Sequence, residues 1–503
     1  MTVSIPRSST ELAQAFEAFV RPLFEESGLP GASVALLLPD GDHVLNLGVT
    51  SVENPLPVTD DTLFQIGSTT KTITSLTVSV LVAEGKLTLD DTVRRHLPDF
   101  KLKDDTVAAQ VTIRDLLTHQ GGFQGDLFED TGDGNDALER VLDILAESPQ
   151  VVPLRGHWSY NNAGFYVVGR VIEAVTGQTY EAAVTERIFR PLGMDHSLFF
   201  ANEIMTHRFA TGHNKVGDQL KIQRPWMLMR SSAPAGSTCS CSILDMARYA
   251  HYILDGTVPP RAEEKQDGPE AEGADSAPPA EPSTDFAALL AALDRQSLWA
   301  PQLDIGVGIN GFPGEQGKIG QSWFNDTYPQ ATIISHGGTT LGFQSDFWLS
   351  PDRRVGFIAM TNGNKGHPFN RKISDWIKRE VLGLQAPERP DFTQSDKSLT
   401  EMAGVYEIVG QPLTISADLR DGSLALIIPD QATGGTQTLP LEFISASTAL
   451  VSEGETKGYS AEFLRNAGGQ IDFMRFAGRL YPRAGQATQA EGESAAQPPS
   501  DAL

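Results

Sequence analysis

Phe64-Gln65-Ile66-Gly67-Ser68-Thr69-Thr70-Lys71 is the stretch on which the fold turns. It runs into Thr72-Ile73-Thr74-Ser75-Leu76-Thr77-Val78-Ser79-Val80-Leu81, where Ile73, Leu76, Val80 and Leu81 fall near helical spacing and predict a buried helix. Ser68 then sits in its first turn and Lys71 one turn on, on the same face, so the amine can reach the hydroxyl. A serine hydroxyl is a weak nucleophile that an adjacent amine helps to activate. The unpaired N–H groups and positive dipole end of a helix start suit an oxyanion. Alone, the pattern decides nothing. In a chain this long about two Ser-x-x-Lys matches are expected by chance, and a capping serine with a solvated lysine is the plainer alternative.

Upstream, residues 9 to 27 carry helical periodicity through Leu12, Phe16, Phe19, Val20, Leu23 and Phe24, and Pro30-Gly31 ends it. Residues 32–38 and 44–49 are apolar runs around Pro39-Asp40-Gly41-Asp42, a hairpin signal. Downstream, residues 86–230 are helix-rich and loop-rich, with a helix at 163–176 behind Tyr160-Asn161-Asn162. Another amphipathic helix is expected at 242–254. A β-branched strand at 331–335 leads into His336-Gly337-Gly338, followed by a hairpin (343–349 with 354–360) and a closing helix at 369–384.

The segment from about 258 to 285 is rich in Glu, Asp, Pro, Gly and Ala, and from Arg261 to Asp285 it holds no large apolar residue. It cannot bury enough surface to offset ordering and is expected to be a disordered insertion. The first domain is thus taken as 1–386, with a linker at 387–399. Residues 400–483 alternate short strand-like runs with turns, as in a small antiparallel barrel or sandwich. Residues 484–503 are low in complexity and expected to be disordered.

The chain has 503 residues, a net charge of −25 and a pI near 4.8. That balance argues against nucleic acid or an anionic membrane as a main partner, since both need a positive surface. Cys239 and Cys241 are the two cysteines, which excludes a disulfide scaffold and reads as two small, semi-buried residues. No signal-peptide core and no apolar run of membrane-spanning length is seen, so a soluble, cytoplasmic protein is expected.

Three small motifs fall in a particular order: Ser68-x-x-Lys71, Tyr160-Asn161-Asn162 and His336-Gly337-Gly338 on a strand edge. In this order they resemble the serine β-lactamase-related family of class C β-lactamases, D,D-peptidases, D-aminopeptidases and esterases. Supporting stretches match too: Pro30-Gly31-Ala32-Ser33-Val34, Leu116-Leu117-Thr118-His119-Gln120-Gly121-Gly122, Pro191-Leu192-Gly193-Met194 and Pro234-Ala235-Gly236. The resemblance spans roughly residues 29 to 363. It implies an α+β fold, a β-lactamase/transpeptidase-like antiparallel sheet flanked by helices with a helical lobe, followed by the C-terminal barrel-like domain.

The resemblance also implies roles. Ser68 is the acylated nucleophile; Lys71 and Tyr160 are the base candidates, with Tyr160 the acid toward the leaving group. Asn162 would hold Lys71 and the carbonyl side of the substrate. Ser68 and Thr339 would give the oxyanion N–H groups, beside His336, Gly337 and Gly338. No metal and no organic cofactor are implied, and the partner is a small molecule or short peptide, with a homo-oligomer left open. The activity is that of a serine hydrolase on an amide or ester, first a D-aminopeptidase or D,D-peptidase-like enzyme. A carboxylesterase and a non-catalytic binding relative are the alternatives.

His336 departs from the Lys-Thr-Gly that β-lactamases carry at this point. An imidazole titrates near 6.5, so only partial charge is expected at neutral pH, which puts efficient β-lactam hydrolysis in doubt. His119, His157 and His196 are read as structural hydrogen-bonding groups; their spacing fits no metal motif.

Overall fold

A computed structural model describes residues 8–485 apart from 218, 260–283, 308–315, 386–391, 409–413, 421, 430–434 and 455. The expected disordered insertion, save its ends, and residues 486–503 of the expected tail lie outside the described residues.

Helix α1 (Ser9–Ser27) starts at a capping box in which Ser8 and Glu11 satisfy each other's backbone N–H. It leads into β1 (Gly31–Leu38) and β2 (Gly41–Gly48), the expected hairpin. Strands β3 (Leu303–Val307), β4 (Gln316–Ile319), β5 (Phe324–Thr327), β6 (Thr332–Ser335), β7 (Gly338–Thr340), β8 (Phe343–Ser350) and β9 (Val355–Thr361) complete an antiparallel sheet. Its order is β2-β1-β9-β8-β6-β5-β4-β3, with β7 paired to β8.

Successive residues of β1 enter different cores. Ala35 and Leu37 join the cluster built around α2 (Thr70–Ala83), whereas Val34 and Leu36 join Phe16 of α1 and Phe369 and Ile373 of a closing helix. A strand covered on both faces has no polar side to show, which is why this run reads as unbroken apolar sequence. The lobe beside the sheet is helical, with α3 (Ala163–Thr176) at its centre. Next come α4 (Ile243–Asp255) and α5 (Gly366–Glu380), the latter closing the outer layer.

The sequence pattern missed β3, β4 and β5. Phe324-Asn325-Asp326-Thr327 is too polar to read as a strand, yet Phe324, Ile305 and Ile319 pack with Trp158 and Tyr160. The linker expected through 399 gives way at Asp396 to α6 (Asp396–Met402), whose Leu399 and Met402 are buried in the C-terminal core.

That core belongs to eight antiparallel strands in sequential order: β10 (Gly404–Glu407), β11 (Thr414–Arg420), β12 (Ser423–Pro429), β13 (Thr436–Phe443), β14 (Thr448–Val451), β15 (Ser460–Arg465), β16 (Ile471–Phe476) and β17 (Arg479–Pro482). A bridge between Tyr406 and Arg483 brings the last strand back to the first, a nearly closed barrel rather than a sandwich. Phe473 and Leu480 pack on Val151 and Val152 of the helical lobe, and Arg475 donates to the Ile305 carbonyl at 3.1 Å.

Cys239 and Cys241 are fully buried free thiols whose sulfurs hydrogen-bond at 3.8 Å. Among the described residues no helix is long and apolar enough to cross a membrane, and no group of three His, Cys, Asp or Glu side chains is placed to hold a metal.

Candidate active site

Ser68 sits in a 3-10 turn, Gly67–Thr69, just ahead of α2 rather than in its first α-helical turn. Every residue of α2 from Thr70 to Leu81 is buried. A helix surrounded by protein must satisfy its hydroxyls internally, and they turn back on the backbone: Thr72 donates to Thr69 O, Ser75 to Lys71 O and Thr77 to Ile73 O.

Two glycines let the strand at Gly338 and Thr339 close on this turn. Gly67 has a φ of +53°, and a Cβ on it would lie 2.6 Å from the Thr339 nitrogen. A Cβ on Gly338 would lie 2.0 Å from the Ile66 carbonyl oxygen and 2.7 Å from the Ser68 nitrogen. Polar side chains complete the seam, with Thr69 Oγ1 donating to His336 O at 2.9 Å and Ser345 Oγ to Ile66 O at 2.8 Å. The strand carrying Gly338 and Thr339 is thereby held against the Ser68 backbone.

Lys71 has no exposed surface. Its Nζ donates to Ser68 Oγ at 3.0 Å and to the Ala235 carbonyl at 2.7 Å, and lies 5.1 Å from the centre of the Tyr160 ring. Burial, helped by the nearby Arg479 charge, holds the amine well below its usual pKa. Tyr160 lines the cleft beside Ser68, and burial raises the phenol above its ordinary value against the influence of Ser68 and Arg479. Its ring stacks on His119 at 4.5 Å, and its backbone N–H donates to Gly478 O of the barrel at 2.8 Å. The amine and the phenol thus meet at one hydroxyl.

Asn162 lines the same cleft but does not reach Lys71. Its Nδ2 donates to Asp126 Oδ1 at 2.7 Å, and it is Asn161 that caps α3, accepting from the Gly164 N–H. His336 also differs from expectation. It is 2% exposed, its Nδ1 donates to the Gly337 carbonyl at 2.8 Å, and burial together with the Lys71 charge pushes the ring down to about 3. The imidazole is therefore neutral, not partly charged, at neutral pH.

His119 is buried beneath Tyr160 with its Nδ1 at the Asn161 backbone, His157 packs on Phe473 of the barrel, and His196 lies against His207.

Two residues escaped the sequence analysis. Arg479, from β17, places its guanidinium 4.9 Å from the centre of the Tyr160 ring and bonds Asp126 at 2.6 Å. Asp126 in turn holds Asn162. A contact 353 residues long has no periodicity to betray it.

The cleft encloses about 300 Å³ and is lined by Ser68, Tyr160, Asn162 and the 335–339 segment, with Tyr459, Ala477 and Arg479 contributed by the barrel.

Comparison with known proteins places this geometry. A Beta-lactamase family profile matches residues 16–381. Penicillin-binding protein 4 of Amycolatopsis lactamdurans is 32% identical over 390 residues, 76% of this chain and 95% of that protein. Protein flp of Staphylococcus aureus is 26% identical over 224 residues, 44% of this chain and 45% of flp. Among solved structures, SurE with D-Leu aligns with a TM-score of 0.68 at 20% identity, over 94% of this chain and 99% of SurE. The octameric penicillin-binding protein homologue from Pyrococcus abyssi gives 0.60 at 20% identity, over 93% and 98%. A class C beta-lactamase gives 0.59 at 18%, over 76% and 99%.

Proposed function

Because the chain belongs to the β-lactamase family, and with it to the serine hydrolases of amide or ester bonds built on the β-lactamase/transpeptidase fold, we propose that it acylates Ser68 and that Lys71 and Tyr160 divide the proton transfers. The observation that carries this division is the buried Lys71 amine, 3.0 Å from Ser68 Oγ with its pKa well depressed, beside a phenol whose pKa is raised. Lowering an amine's pKa favours the neutral form that can accept a proton; a phenol held protonated donates one.

In the first step Ser68 Oγ attacks the substrate carbonyl, its proton passes to Lys71 Nζ, and the carbonyl π pair moves onto oxygen. The Ser68 and Thr339 N–H groups receive that oxyanion; losing one such donor typically costs about 10²–10³ in rate. The oxyanion pair then re-forms the carbonyl, the bond from its carbon to the departing nitrogen or oxygen breaks, and Tyr160 gives its proton to that atom. Water deacylates the serine by the same transfers reversed.

The substrate we place first is a short peptide amide with a D-residue, in keeping with the penicillin-binding relative. An ester is the second reading, favoured by one observation: a neutral His336 stands where a permanent cation would grip a substrate carboxylate. For the same reason β-lactam turnover should be slow.

A fluorophosphonate probe should label the wild-type protein and fail to label Ser68→Ala. A panel of D-aminoacyl amides, D-Ala-D-Ala peptides and p-nitrophenyl esters then separates peptidase from esterase. No labelling and no turnover of any of these would favour a binding protein on the same fold.

A further inference from the structure

The cleft does not end at Ser68. It continues past His336 and Gly337 to Asp346, Arg371 and Lys378, on the face of the sheet that α5 covers. Ser335 pairs with Trp348 and Gly338 with Ser345, and the His336 N–H donates to Phe347 O. Gly337 consequently stands across from Asp346. Directly opposed residues on antiparallel strands share a face, so the missing side chain of Gly337 leaves a notch in front of the Asp346 carboxylate. A Cβ at Gly337 would meet only the Ser345 carbonyl, at 3.1 Å; the rest of the notch is open.

Asp346 makes no hydrogen bond and no ion pair among the described residues, although a carboxylate accepts about four. Its neighbour Arg371 is engaged elsewhere: the guanidinium donates to the Lys457 carbonyl at 2.6 Å and faces Asp375 at 4.0 Å. Lys378 lies over the Trp348 ring at 5.7 Å. Burial raises the Asp346 carboxyl, against the pull of Lys378 and His367; a donor that entered the notch would reverse that.

The notch also has a side. Tyr160 hands its proton to the departing group, and the His336 ring, next to Gly337, lies 6.0 Å from the Tyr160 ring. One cleft holds Tyr160, His336, Gly337 and Asp346, so a leaving group that departs along it past Tyr160 comes to the notch. We propose that the notch between Gly337 and Asp346 binds a protonated amine on the leaving group, so that preferred substrates expel a fragment carrying an ammonium. This inference rests on the acyl-enzyme reading above.

Two thioesters of acetic acid test it, S-aminopentyl and S-hexyl, nearly equal in size and differing in one ammonium. Released thiol is read with an aromatic disulfide. Because a hydrogen bond to a charged group contributes about tenfold or more, the wild-type protein should show kcat/KM about tenfold higher for the aminopentyl thioester. Asp346→Asn, which keeps the shape, should abolish that ratio and Asp346→Glu should restore part of it, with fluorophosphonate labelling of Ser68 showing that each variant is folded. Ser68 labelling with no preference in the wild-type protein, or an equal loss on both thioesters in Asp346→Asn, overturns the inference alone. No labelling and no thiol from either substrate overturns the acyl-enzyme reading and the inference with it.

Discussion

A lysine with no exposed surface is costly to keep charged, and at Lys71 that cost sets the pH behaviour expected of the enzyme. The amine works only when neutral. Its pKa is pulled well below the usual value, so kcat/KM should rise with pH through that lowered pKa and level off. The phenol of Tyr160 works only when protonated. Its pKa is raised, so the alkaline fall should come above pH 10. No histidine inflection near 6.5 is expected, because burial and the Lys71 charge push His336 down to about 3 and burial lowers His119 well below its ordinary range. Lys71→Met should lower kcat/KM by about 10²–10⁴, the usual contribution of a positioned base. The check is a pH–rate profile on a p-nitrophenyl ester; an inflection near 6.5 that vanishes in His336→Asn would mean that the imidazole, not the lysine, governs the acid limb.

At the scale of elements, the seam between the nucleophile turn and β7 is sterically determined. Gly338→Ala would drive a methyl to 2.0 Å from the Ile66 carbonyl and 2.7 Å from the Ser68 nitrogen, both backbone atoms that cannot rotate away. We expect a loss of roughly 1–3 kcal/mol in stability, as for overpacking in a core, and loss of Ser68 labelling. Gly177→Ala, at a helix end where no atom lies within 4 Å, should cost only the strain of its φ of +70° and leave labelling intact. Thermal melts with probe labelling separate the two. What the sequence allowed follows the same physics. Helix α3 was readable at 163–176 because its apolar face keeps helical spacing. The turn at Ser68 was displaced, since nothing in Gly67-Ser68-Thr69 distinguishes a 3-10 turn from the α-helix it feeds. The side-chain bond to the start of α3 comes from Asn161 and not from Asn162, because adjacent asparagines are equivalent on paper and differ only in where the loop aims them. The strands around Phe324 were hidden because Gln316-Gly317-Lys318-Ile319 and Phe324-Asn325-Asp326-Thr327 are four residues long and carry one apolar side chain each.

For the whole molecule, the question is whether the barrel merely packs on the catalytic domain or finishes its site. Tyr160 is held from the barrel side twice, by the Gly478 carbonyl on its backbone and by the Arg479 guanidinium over its ring. Arg479 and Asp126 are each about 30% exposed in their side chains, between a surface pair and a buried one. Removing one partner should therefore cost about 1–3 kcal/mol. Arg479→Met also strips a cation from beside Lys71 and leaves Asp126 to pair with the amine, which would raise the Lys71 pKa and move the acid limb of the pH–rate profile upward. A packing residue would lower the melting temperature without moving that limb. Asp126→Asn combined with Arg479→Met should then cost less than the sum of the single changes, because groups in one network are not additive. Additive melts and an unshifted acid limb would reduce the barrel to a packing module. A shifted limb would make it part of the enzyme's proton chemistry, since Arg479 is a residue of the barrel that reaches Asp126 and the Tyr160 ring.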